Sequence, residues 1–124
     1  MRGDIREKQL KAGGVIIGNE KIFENKIKKY LRSKGCYVVK FFANSFTKVG
    51  VPDLICTVNG YFLAIEVKAQ DGHPSELQLH NVEQIRKAGG FAYVVYPSGW
   101  ERLKAIIDGL LIDKFNREED VILK

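Results

Sequence analysis

The chain has 124 residues, 45% of them hydrophobic and 28% charged, and a formal net charge of +5. That length supports one domain around a single core and is too short for two. No apolar run approaches the roughly 20 residues of a membrane-spanning helix, and the first residues lack the apolar centre of a signal peptide, so the expectation is a cytoplasmic protein with no membrane partner.

The charge is uneven along the chain. Residues 1–40 carry 11 Lys/Arg against 4 Asp/Glu, whereas residues 41–124 carry 9 against 11. A basic N-terminal third is what a phosphate-binding surface needs, although lysines also serve solubility.

Residues 1–19 read as an arm in which Val15-Ile16-Ile17, set among glycines, forms one short strand. Residues 20–34 read as a helix, with Phe23, Ile27, Tyr30 and Leu31 at i, i+4, i+7 and i+8. Asn19 is placed to cap it and Gly35 to end it. "CYVVKFF" at 36–42 is a strand, followed by the polar loop "ANSFTKVGV". Residues 52–58 and 61–68 form two more strands around Asn59-Gly60, a strong hairpin signal because a type I′ turn needs positive φ at both positions. After the loop "AQDGHP" comes a helix over residues 75–88, closed by Gly89-Gly90. "FAYVVY" at 91–96 is a fourth, centrally placed strand, and Ser98 with Glu101 suggests a capping box for a last helix. Trp100, Tyr93 and Tyr96 read as core. The two cysteines, Cys36 and Cys56, belong to no metal-binding cluster and read as small buried hydrophobes. Residues 113–124 form a charged tail that periodicity does not place. The order is that of an α/β layer sandwich, with residues 20–112 as the domain.

The hairpin carries an arithmetic consequence. A two-residue turn at Asn59-Gly60 pairs residues whose numbers sum to 119, so Asp53 faces Glu66. Opposite residues of an antiparallel pair project to one side, and Lys68, two positions on from Glu66, joins them. Two carboxylates about 5 Å apart repel by roughly 3 kcal/mol at an effective dielectric near 20. A raised pKa, an ion pair with Lys68 or a divalent cation would each offset that repulsion. An ion cluster fraying into solvent is the plain structural alternative.

"VPD" at 51–53 and "EVK" at 66–68 resemble the PD-(D/E)XK nuclease signature. Together with Glu24, "AIEVKAQDGHPSELQ" and "AGGFAYVVYPSGWE", they look similar to the VRR-NUC (virus-type replication-repair nuclease) domain over about residues 20–110. The resemblance implies a restriction-endonuclease-like αβββαβ core, with a mixed four-stranded sheet flanked by helices and a C-terminal helix. It implies that Asp53, Glu66 and the Val67 carbonyl ligate Mg²⁺ or Mn²⁺, and that Lys68 orients or activates the attacking water. It also implies that Glu24, from the first helix, joins the metal site, and that Gln78 lies near the catalytic centre. For Glu24 the plain alternative is a solvent glutamate paired with Lys28. For Gln78 it is the capping box Ser75-x-x-Gln78.

Asn44, Ser45, Thr47 and Lys48 offer donors for DNA phosphates, with His73 as a further contact. His73 and His80 are too few ligands for a zinc site. The resulting expectation is a metal-dependent DNA endonuclease of a bacterial or phage-infected cell, similar to Holliday-junction resolvases, which usually work on branched or four-way DNA as homodimers. A restriction-like or flap endonuclease on the same fold, and a non-catalytic nucleic-acid-binding module, remain open alternatives.

Overall fold

The computed structural model describes residues 10–12, 15–42 and 49–124 of the chain. The first described elements are two short strands, β1 (Leu10–Ala12) and β2 (Val15–Ile17), paired antiparallel as a separate two-stranded sheet. Helix α1 (Asn19–Ser33) follows, burying Phe23, Glu24, Ile27 and Leu31 on one face. Asn19 is its first residue and not its cap; Gly18 holds the cap position, with no side-chain bond there. Gly35, at φ +79°, ends the helix as expected.

The main sheet contains β3 (Tyr37–Lys40), β4 (Leu54–Val58), β5 (Tyr61–Val67), β6 (Phe91–Val95) and β7 (Ile122–Leu123), in that spatial order. β3, β4 and β5 are mutually antiparallel, while β6 and β7 run parallel to β5. Helix α2 (Glu76–Lys87) connects β5 to β6, and α3 (Trp100–Leu111) follows β6. This is the restriction-endonuclease-like α/β architecture, with a fifth strand beyond the four expected. β7 comes from the segment that periodicity left unplaced, because two residues are too few to show an alternation. The neighbouring strand and side chains hold it: Val94 N–H donates to Val121 O at 2.9 Å and Tyr96 N–H to Leu123 O at 3.0 Å. The Arg86 guanidinium donates to the carbonyls of Glu118 and Glu119 at 2.8 and 3.0 Å.

Strand alternation splits the core. Val38, Leu54, Cys56, Val58, Leu63, Ile65 and Val67 face α1 and α3. Ala64, Ala92 and Val94 face Val82 of α2. Both cysteines are buried and unbridged, and Tyr93, Tyr96 and Trp100 are buried as expected. Asn59 and Gly60 adopt φ of 50° and 84°, giving the tight turn, and every β4–β5 partner pair sums to 119.

Two caps behave differently. At α2 the box forms: Ser75 Oγ accepts from Gln78 N–H and Gln78 Oε1 accepts from Ser75 N–H. At α3 the expected Ser98–Glu101 box does not form, and Gly99 occupies the cap position. Ser98 bonds instead to the Gln70 amide, donating its N–H and accepting at Oγ, both at 3.0 Å.

Gly50 lies where the chain turns into β4. Its φ is +90°, and a Cβ there would sit 2.6 Å from Leu77 Cγ and 2.9 Å from Asn81 Nδ2. Gly50→Ala combines left-handed strain with a collision against α2. It is expected to cost about 2 kcal/mol, lowering the thermal midpoint by roughly 6–10 °C. An unchanged midpoint in a calorimetric scan would refute that account of the turn.

Candidate active site

Asp53 sits immediately before β4, where Phe41 N–H donates to its carbonyl at 2.7 Å and continues the β3–β4 ladder. Continuing the β4–β5 register by one step sets it opposite Glu66. Its carboxylate reaches across the pair, since Oδ2 accepts from the Val67 N–H at 2.9 Å. Lys68 follows the end of β5 and is held by its N–H, which donates to Val95 O at 3.0 Å. Glu66 is only 2% exposed. Its Oε2 accepts from Gln78 Nε2 at 3.0 Å and lies 3.3 Å from Lys68 Nζ. Because Gln78 Oε1 is held by Ser75 N–H at 2.9 Å, the cap of α2 presents the amide nitrogen to Glu66. The helix cap and the contact to Glu66 therefore meet in one side chain.

Glu66 Oε1 is buried without a hydrogen-bond partner among the described residues. Burial, and then the charge of Asp53, push the Glu66 carboxyl well above the usual carboxylate range, against the opposing pull of Lys68. A buried carboxylate oxygen with an open lone pair, next to a second carboxylate, suits a hard divalent cation. The residues thus fit Mg²⁺ or Mn²⁺, with Asp53, Glu66 and the Val67 carbonyl as the groups that would hold it.

Glu24 adjoins the acid pair through a shared lysine. It is 2% exposed on α1 and committed to three ammonium groups: Lys40 at 2.6 Å, Lys21 at 2.8 Å and Lys28 at 3.3 Å. Burial alone would raise its carboxyl, but hydrogen bonds from Lys21 and Lys40 outweigh this and hold it at about 2. The link to Asp53 passes through Lys40, whose Nζ is 3.3 Å from Asp53 Oδ1. Among the described residues, no group of three or more His, Cys, Asp or Glu is placed to hold a metal.

The structure therefore brings Asp53, Glu66, Lys68 and Gln78 together, with Glu24 behind Lys40. Lys40 itself went unread in the sequence; the available signal was a lysine ending the otherwise apolar run "CYVVK". His73 is an exposed residue of the β5–α2 loop, and His80 is exposed on α2. Asn44, Ser45, Thr47 and Lys48 lie outside the described residues.

A family profile described as archaeal Holliday junction resolvase (Hjc) matches residues 17–120. No curated protein matches the chain. The matched span takes in the whole β4–β5 hairpin and both helices that supply Glu24 and Gln78, and stops just short of β7. On that extent of agreement, the chain belongs to the archaeal Holliday junction resolvase (Hjc) family of structure-selective DNA endonucleases, within the PD-(D/E)XK superfamily.

Proposed function

We propose that the chain resolves four-way DNA junctions by divalent-cation-dependent hydrolysis at the Asp53–Glu66–Lys68 cluster. The observation that carries this reading is the buried Oε1 of Glu66, unpartnered among the described residues, beside a second carboxylate and an ammonium. Bound Mg²⁺ or Mn²⁺ would neutralise the two acids and polarise the phosphodiester. The protein's own groups do the positioning. Val67 N–H fixes one oxygen of Asp53 and leaves the other for a cation. Gln78 fixes one oxygen of Glu66 in the same way. Lys68 places positive charge where charge develops on the phosphate and orients the attacking water. Glu24 acts from behind, through Lys40. The kinship to VRR-NUC domains is retained as a likeness of motif within the same superfamily.

DNA contacts are assigned to Asn44, Ser45, Thr47, Lys48 and His73. Exposed Lys26, Lys29, Arg32 and Lys34, on and just after α1, add positive charge for the backbone. Residues 20–112 form the body of the nuclease domain, with 1–19 as its arm and 113–124 as a tail whose β7 joins the sheet, and the protein works inside the cell. No described helix is long and apolar enough to cross a membrane.

Two related cuts in a four-way junction require two sites, and a homodimer supplies them. The β3–β5 register puts exposed Tyr37, Val39 and Phe62 on one sheet face, an apolar surface suited to a second copy. The test is cleavage of four-way, flap and linear DNA in Mg²⁺, Mn²⁺ or EDTA, with light scattering on the same preparation. Paired nicks on the junction alone, abolished by EDTA, and a particle of twice the chain mass are expected. Comparable cutting of linear or flap DNA would favour the restriction-like or flap reading, and binding without cutting would favour a non-catalytic module.

A further inference from the structure

The E-x-K signature accounts for Lys68 but leaves Lys40, the ammonium on Asp53, without a role. Lys40 extends from the end of the edge strand β3, with Nζ between Glu24 Oε1 and Asp53 Oδ1. Asp53 has already given Oδ2 to the Val67 N–H. The oxygen it can turn to a metal is therefore the one that Lys40 holds.

We propose that Lys40 is a built-in counter-cation that competes with the divalent ion for Asp53, so that loading the site expels its ammonium. The proposal rests on the metal-dependent reading given above and concerns how that site is regulated. Charge balance supports it. Three carboxylates, of Asp53, Glu66 and Glu24, lie within 3.3 Å of four ammonium groups, of Lys21, Lys28, Lys40 and Lys68. Adding a doubly charged ion to a cluster in which ammonium groups already outnumber the acids favours the loss of a cation.

Lys40 is the ammonium best placed to leave. Lys68 pairs with Glu66, and not with the Asp53 oxygen that Lys40 holds. Lys21 and Lys28 sit one turn either side of Glu24 on α1 and keep that buried acid compensated after Lys40 departs. The Lys40 side chain is 21% exposed, so its flexible stem has a path to solvent. The ring of Phe42, 5.7 Å from Nζ, offers the ammonium another contact nearby.

By linkage, each competitor weakens the binding of the other. Mn²⁺ titrated by calorimetry into EDTA-stripped protein should bind Lys40→Met about fivefold or more tightly than wild type, within the range of ordinary coupling energies. Lys40→Arg, which keeps the charge, should stay close to wild type. In wild type itself, nitrogen-15 spectra of the lysine ammonium groups should show a slowly exchanging Lys40 signal that disappears at saturating Mg²⁺. This second measurement needs no variant and decides the matter if Lys40→Met does not fold. Equal or weaker Mn²⁺ binding by folded Lys40→Met, or a Lys40 signal that persists in saturating Mg²⁺, overturns the proposal and leaves the metal-dependent reading standing. Failure of wild type and every variant to bind Mn²⁺ overturns both.

Discussion

Asp53→Asn is expected to reduce junction cleavage by about three orders of magnitude or more, while the protein remains folded. Asparagine keeps the shape of the side chain and an oxygen to accept the Val67 N–H, so the end of the hairpin stays closed. What disappears is the charge that, on the proposed mechanism, would share a cation with Glu66, and that pairs with Lys40 at 3.3 Å. Lys68→Ala removes a different contribution. Its ammonium lies against Glu66 Oε2, on the oxygen that Gln78 also holds, and not on Asp53. Its loss is expected to slow single-turnover cleavage by about 10²–10³-fold, the usual cost of one group stabilising developing charge. Calorimetry with Mn²⁺ separates the two roles: Asp53→Asn loses binding and Lys68→Ala retains it. A Lys68→Ala protein that cuts at the wild-type rate removes Lys68 from the mechanism.

The arrangement of these residues was legible in the sequence to the extent that it follows from local rules. Asn59-Gly60 dictates a two-residue turn, the turn dictates a register, and the register places Asp53 by Glu66 before any tertiary contact is known. Gln78 was legible for a related reason, because Ser75-x-x-Gln78 is a local motif whose amide has a second end to offer. Features made by distant residues were not legible. Glu24 and Lys40 are 16 positions apart, and their 2.6 Å contact depends on how α1 lies across the sheet. The same holds for Ser98, whose capping capacity was taken by Gln70 from 28 residues away. β7 pairs through only two residues and is secured by bonds from β6 and Arg86, so its own sequence carries little of its stability.

The second large effect concerns stability. The Glu66 carboxyl is pushed up to about 8 by burial and by Asp53, from an ordinary value of 4.5. A group whose pKa is higher folded than unfolded contributes stability that is full below its unfolded value and is lost as pH rises through its folded one. In EDTA, wild type is therefore expected to lose stability between about pH 5 and about pH 9 through Glu66, on the order of 2–3 kcal/mol once water access is allowed for. Glu24 behaves with the opposite sign: held at about 2, it contributes stability above 4.5 that is lost as pH falls towards 2. The two acids thus draw the stability optimum of the metal-free protein to the mildly acidic side. Glu66→Gln isolates the first contribution, since glutamine can still accept from Gln78 Nε2 but cannot ionise. Urea unfolding of this variant in EDTA should show a smaller decline towards pH 9 than wild type, and a gap that closes at pH 5. Mg²⁺ should restore wild type at high pH and leave Glu66→Gln nearly unchanged, because only the charged carboxylate both destabilises the empty site and draws the cation in. Parallel profiles for the two proteins in EDTA would mean that Glu66 is solvated in solution, and the same carboxylate could not then be the buried ligand that the cleavage mechanism requires.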